Sequence, residues 1–317
     1  MRKSGLLLLS AFLALSTGLT GCGKSGKKVI GICQLVTHDA LDAATQGFKD
    51  AVIEGLGEAN VEFDYQNAAG EPNTCSTIVN SFVSKNVDLI MANATPALQA
   101  AYNATTTIPI LGTSITEYGV ALGIENFTGV TGVNVSGTSD LAPLNEQAQM
   151  IVDIFPNKNN VGILYCLAEA NSKYQVDVIK SELENKNLHV EVMGFTDSND
   201  LPAVLSSKIN SIDVLYIPTD NTCAANASII DTICNENNIP VVAGEEGLCK
   251  KCGAVTLSIS YYNIGVKTGQ MAVEILKNGK DIKTMPIAYD TNPVKKYNAT
   301  ICTRLGITIP NEYTPIE

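Results

Sequence analysis

The sequence predicts an α/β fold of two similar doubly wound parallel-sheet lobes joined by a hinge. Three observations carry that reading. Apolar runs of strand length alternate with stretches of helical spacing from residue 29 onward. The order and spacing of these segments recur in the second half of the chain. The same Ile-Pro signal opens a strand in each half, as Ile108-Pro109-Ile110-Leu111 and Ile239-Pro240-Val241-Val242. Strands separated by single helices imply right-handed crossovers and a parallel sheet covered on both faces.

In the first half, residues 29–33 form a continuous apolar strand, and residues 40–56 carry helical spacing through Leu41, Ala44, Phe48 and Val52. A strand is expected at 61–65, a helix at 74–84 and a strand at 87–92. A helix at 96–104 and a strand at 108–111 complete the pattern. It then restarts. Residues 161–166 correspond to the first strand, followed by a helix at 172–185, a strand at 189–194 and a helix at 201–208. The run Ile212-Asp213-Val214-Leu215-Tyr216-Ile217 mirrors Val87-Asp88-Leu89-Ile90-Met91-Ala92. The division that follows is a first lobe at 29–140, with a returning segment near 288–317, and a second lobe at 141–287.

The N-terminus precedes both lobes. Arg2 and Lys3 are followed by an apolar run at 6–15 and by Leu19-Thr20-Gly21-Cys22. A basic start, a short apolar stretch and a small-residue cleavage site read as a secretory signal over 1–21. The cysteine directly after the small pair makes it a lipoprotein signal, with diacylglycerol on Cys22 and a tether at 22–28. The apolar run is shorter than the ~20 residues of a membrane-spanning helix. The mature chain is expected at the cell envelope, held by lipid to the outer face of the cytoplasmic membrane, and monomeric.

Composition narrows the chemistry. The 317 residues carry a net charge of -11, which becomes -13 once Arg2 and Lys3 leave with the signal. That balance excludes nucleic acid as a partner, since its binding needs clustered Lys and Arg. Arg304 is the one arginine left, so a bidentate guanidinium clamp on an anion requires Arg304 to reach the site. Tryptophan is absent, which disfavours sugar platforms built on indole stacking. Eight cysteines remain besides Cys22, an even number that permits disulfides without assigning them. Cys249 and Cys252 have metal or redox spacing, yet no second pair of that spacing exists, and His38 and His189 are the two histidines. A local disulfide or free thiols are expected there, with no metal and no cofactor.

Several segments together resemble one family, the ABC-transporter substrate-binding proteins that include tryptophan- and tyrosine-binding lipoproteins. They are His38-Asp39-Ala40-Leu41-Asp42, Gln66-Asn67-Ala68-Ala69-Gly70, Ala94-Thr95-Pro96-Ala97 and Asn134-Val135-Ser136-Gly137-Thr138-Ser139-Asp140. In the second half Glu169-Ala170-Asn171-Ser172, Pro218-Thr219-Asp220-Asn221 and Tyr261-Tyr262-Asn263-Ile264-Gly265 are similar too. The matches span residues 29–310. Two departures stand out: Asp39 replaces the usual proline, and Ile115-Thr116-Glu117-Tyr118 replaces Val-Thr-Asp-Pro. The resemblance implies a periplasmic-binding-protein type I-like fold. It also implies a function: capture of a small amino-acid-type ligand, best an aromatic one, for delivery to ABC permease and ATPase subunits.

A site is expected where the two lobes face each other. Thr95 and Ala97 open a helix whose first N–H groups lack internal partners, so a carboxylate could rest there without any arginine; Thr95 could equally serve as the helix cap. A ligand ammonium needs oxygen acceptors, offered by Asp220, with Asn221 beside it, or by Glu169 with Ser172, and Glu245 is a further acidic candidate. Asp220 could instead cap its own helix. Gln34 and His38 lie in the first loop, and Ser114 and Asp140 follow from the family match, with a hinge role competing for Asp140. Tyr118, Phe127 and Tyr165 could touch an apolar side chain, core packing being the alternative.

Competing readings keep the fold and change the use: a nucleoside, sugar or other small solute as ligand, or a surface sensor or adhesin. An enzyme is disfavoured, because neither a Gly-x-Ser-x-Gly elbow nor a Gly-rich phosphate loop is present.

Overall fold

The computed structural model describes residues 26–290 and 292–316. The expected signal at 1–21 and the lipid attachment at Cys22 lie outside them. Among the described residues no helix is long and apolar enough to cross a membrane.

The first lobe alternates as expected. Strand β1 (Lys28–Gln34) leads to α1 (Asp39–Leu56), then β2 (Val61–Asn67), α2 (Pro72–Lys85), β3 (Leu89–Asn93), α3 (Thr95–Ala104), β4 (Ile110–Ile115), the short α4 (Tyr118–Leu122) and β5 (Val135–Ser139). The second runs α5 (Leu144–Ile154), β6 (Asn160–Cys166), α6 (Ala170–Asn185), β7 (His189–Phe195), α7 (Leu201–Lys208), β8 (Val214–Ile217), α8 (Asn221–Ala225), α9 (Ala227–Glu236), β9 (Val241–Ala243), α10 (Glu246–Cys252) and β10 (Val255–Ser258). The chain ends with α11 (Tyr261–Asn278), β11 (Ala288–Tyr289), β12 (Val294–Tyr297), α12 (Ala299–Leu305) and β13 (Thr314–Pro315).

Two sheets result. The first has the order β11-β5-β4-β3-β1-β2 and the second β13-β12-β10-β9-β8-β6-β7. All pairings are parallel except β10 with β12. The cores β2-β1-β3-β4-β5 and β7-β6-β8-β9-β10 share one topology, so the repeat seen in the sequence is a repeat of structure. Central strands buried on both faces explain its legibility: every residue of β3, β4, β8 and β10 is buried.

The division at the C-terminus differs from the sequence expectation. Helix α11 falls within the stretch expected for the second lobe, yet it packs on α1, and its Met271 and Ala272 join Ile30, Phe48 and Leu111 in the core of the first. Strand β11 extends the first sheet through β5, whereas β12 and β13 extend the second through β10. The chain therefore crosses between lobes after β5, after β10 and after β11. The reason is a register of small residues: the backbones of α1 and α11 touch at Gly47 and Gly265.

The eight described cysteines are free and buried. Cys249 and Cys252 sit on one face of α10 within the second core, beside Cys223 and Cys234.

Candidate functional site

In each lobe the strand order reverses beside the first strand: β1 lies between β2 and β3, and β6 between β7 and β8. Ligands of doubly wound sheets sit beyond the carboxyl ends of strands at such a switch point. Here the two crevices face each other. A cavity of about 280 Å³ lies between them, with Leu35, Val36, Pro72 and Pro96 on one wall and Cys166, Ala168, Glu169 and Asn221 on the other.

On the first lobe the start of α3 is the main feature. Ala94 flanks it at φ 88°, and no side chain caps it, so Thr95 is not the cap and its hydroxyl stays available. Pro96 brings no N–H. The amides of Thr95 and Ala97 therefore lack helical acceptors at the positive end of the helix dipole. Next to it, Ser114 adopts φ 56°, where β4 loses register with β5 between Gly112 and Ile115. Such strain, of about 1–3 kcal/mol for a non-glycine residue, concentrates where a ligand must be met. The Ser114 hydroxyl is buried and has no partner.

Gln34 plays a different part from the one expected. Its Nε2 donates to Val36 O (2.9 Å) and Asp42 Oδ1 (2.6 Å), and its Oε1 accepts from Thr45 Oγ1 (2.6 Å). With Asn93, which donates to Leu41 O and Thr45 Oγ1, it pins β1 and β3 to α1. Its hydrogen-bonding atoms are spent on the lobe itself.

His38 reaches across to the second lobe, where its Nε2 lies 3.3 Å from Asn221 Oδ1. The Asn221 amide is oriented by Glu169, to which its Nδ2 donates at 2.7 Å. Asn221 Oδ1 is thus an acceptor, His38 Nε2 carries the proton and Nδ1 is a bare acceptor without a partner. Burial lowers the imidazole pKa, against the pull of Asn221, Glu169 and Asp42, so the ring is neutral.

On the second lobe the three candidate acids prove to be caps. Glu169 Oε2 accepts from Asn171 Nδ2, Asn221 N and Asn221 Nδ2, while Oε1 accepts from Thr222 N and Thr222 Oγ1. Asp220 caps α8 through Cys223 N and reaches Cys166 N with its other oxygen, both at 2.8 Å. Burial, with Glu169 nearby, pushes Asp220 up to about 7. Glu245 caps α10 through Gly247 N and Leu248 N, and burial pushes it up to about 7 as well. Ser172 is fully buried and accepts from Asn171 Nδ2 at 3.3 Å.

Asp140 belongs to the hinge. Its Oδ1 accepts from Thr116 Oγ1 (3.0 Å) and its Oδ2 from Tyr261 OH (2.9 Å), which ties the first crossing to the second. Ser260 N then donates to Asp290 and links the second crossing to the third. Burial raises Asp140 from 3.8 to about 6, its hydrogen bonds opposing. A carboxyl raised in the folded state favours folding below its unfolded value and loses that contribution as pH rises through the folded one. Asp140→Asn removes that loss. Melting of the ligand-free protein, scanned between about pH 4 and about pH 7, should therefore show the variant gaining several degrees relative to the parent as pH rises. A pH-independent difference would sink the assignment.

Arg304 is distant from the cleft and pairs with Asp231 on α9. Tyr118 is core, donating to Gly112 O and Thr138 O. Thr116 and Tyr261 at the hinge, and Asn171, lie in the segments that carry the family resemblance or depart from it, but the sequence assigns none of them a role. Their one signal was membership of those segments.

The comparisons with known proteins agree with this architecture. A relative from Clostridioides difficile called a tyrosine-binding protein is 36% identical over 298 residues, covering 89% of this chain and 86% of the relative. The structure of an ABC domain in complex with L-Trp from Streptococcus pneumoniae superposes with a TM-score of 0.88 at 28% identity, over 92% of this chain and all of the other. A ligand-free, open substrate binding protein with adhesive properties from Clostridium difficile is 38% identical over 92% of this chain and 99% of the other, with a TM-score of 0.70. Residues 29–314 match the model of the ABC transporter substrate binding protein family, and the chain belongs to that family.

Proposed function

We propose that this protein captures an aromatic amino acid, tyrosine, phenylalanine or tryptophan, between its lobes and hands it unchanged to an ABC permease. The observation that carries the reading is the uncapped start of α3, with the partnerless Ser114 hydroxyl beside it. Together with the Thr95 hydroxyl these groups form a donor cluster for a carboxylate in a chain whose one mature arginine is elsewhere. The apolar wall of Leu35, Val36, Pro72 and Pro96 suits a ring. The L-Trp bound to the pneumococcal relative and the name of the tyrosine-binding one point the same way. The lipoprotein motif adds a Cys22 anchor on the outer face of the cytoplasmic membrane.

A thermal-shift screen of ligand-stripped protein against amino acids, nucleosides and sugars tests this. Binding at 100 times Kd adds about 2.7 kcal/mol to folded-state stability, a rise of several degrees in Tm. A shift confined to the aromatic amino acids is expected. A response to a sugar or nucleoside alone would discard the ligand and keep the receptor. Adhesion is a second reading, favoured by the adhesive properties of the Clostridium difficile relative. Cell attachment that survives loss of ligand binding would identify it as a separate use of the surface.

A further inference from the structure

We infer that the ligand ammonium is received by a neutral acceptor, Oδ1 of Asn171, and not by a carboxylate; this rests on the amino-acid reading above. Glu169 accepts five hydrogen bonds from its own lobe, and Asp220 and Glu245 each hold two backbone N–H groups. Glu169 thus has every lone pair in use, and Asp220 and Glu245 are each committed with both oxygens to backbone N–H groups.

Asn171 is held the opposite way round. Its Nδ2 faces three acceptors, Glu169 Oε2 (3.1 Å), Ser172 Oγ (3.3 Å) and Thr219 O (3.2 Å). That environment fixes the amide, so Oδ1 points away from all three. The residue is 5% exposed, and Oδ1 has no donor. A buried acceptor left unpaired is a standing cost that a bound donor removes.

The position adjoins the cavity between the lobes through Glu169, which lines it. Glu169 links Asn171 to Asn221, which meets His38 of the first lobe, and α4 of the first lobe packs on α6, where Asn171 sits. The Glu169 charge behind the amide polarises it, which strengthens Oδ1 as an acceptor. A zwitterion then spans the cleft, its carboxylate at the α3 amides and its ammonium at a polarised amide.

Calorimetry with L-tyrosine and with its deaminated analogue, a hydroxyphenyl propionate, tests the assignment. Asn171→Ala should weaken tyrosine about 10- to 100-fold and leave the deaminated analogue within about twofold. Equal loss of both ligands, or of neither, overturns it. Failure of the parent protein to bind any aromatic amino acid would overturn the amino-acid reading and this inference together, an outcome distinct from the variant result. Because Asn171 also clamps Thr219, a crystal structure of the parent complex gives a second measurement. An ammonium nitrogen at about 3 Å from Asn171 Oδ1 supports the inference. An ammonium paired directly with Glu169, Asp220 or Glu245 overturns it.

Discussion

Replacing Glu169 by alanine should abolish measurable ligand binding and lower folding stability by about 3–5 kcal/mol, the summed cost of leaving several buried donors without an acceptor. Its two oxygens satisfy five donors from Asn171, Asn221 and Thr222. Without them the first amides of α8 lose their acceptors, at about 1–3 kcal/mol for each orphaned buried group. The Asn221 amide loses the partner that orients it, and the contact with His38 goes with it. Glu169→Gln keeps one acceptor oxygen and should fall between the two. The change also removes a negative charge that raises Asp220, so that carboxyl should titrate lower in either variant. Calorimetry together with urea melts reads both effects. Stability within about 1 kcal/mol of the parent would show that water replaces the carboxylate, which would refute this account of the cleft.

Why so much of the fold was legible, and this network was not, has a physical reason. Strands such as Leu89–Asn93 and Val214–Ile217 are buried on both faces, so they stand out as unbroken apolar runs. β5, Val-Ser-Gly-Thr-Ser, is equally buried but built of small polar residues, and it carries no such signal. Its hydroxyls are satisfied by tertiary partners: Ser136 donates to Met285 O, and Thr138 meets Thr268. In α11 the buried face is Ile264, Thr268, Met271 and Ala272, and no sequence pattern says which sheet covers it. The site was legible to the same depth. A carboxylate just after a strand has one sequence signature whether it caps the next helix or meets a ligand, and Asp220 and Glu245 turned out to cap. Ser114 was found through a motif, while its left-handed backbone depends on a bulge that no local pattern announces. For Asn171, the deciding fact is which way an amide is turned, and that is set by three acceptors together, of which Thr219 is far away in sequence.

Gly265→Val should be among the most damaging single changes in the first lobe, although the residue touches no ligand. A Cβ at Gly265 would stand 2.1 Å from the carbonyl oxygen of Ala44, and one at Gly47 would stand 2.2 Å from that of Tyr262. Both obstacles are backbone, so no side chain can rotate out of the way. The helices would have to separate, opening the core where Met271 and Ala272 meet Phe48. Overpacking of this kind costs about 3 kcal/mol, which corresponds to a fall of about 5 °C in Tm for a protein of this size. The same helix begins at Tyr261, whose hydroxyl holds Asp140 at the first crossing, so displacing it should also disturb the hinge and weaken ligand affinity. Gly279, at the other end of α11, supplies the control. It has φ 69° and open space around it, so Gly279→Asn should cost less than about 1 kcal/mol. Similar melting temperatures for the two variants would mean that the α1–α11 contact yields easily, and that the first lobe does not depend on it.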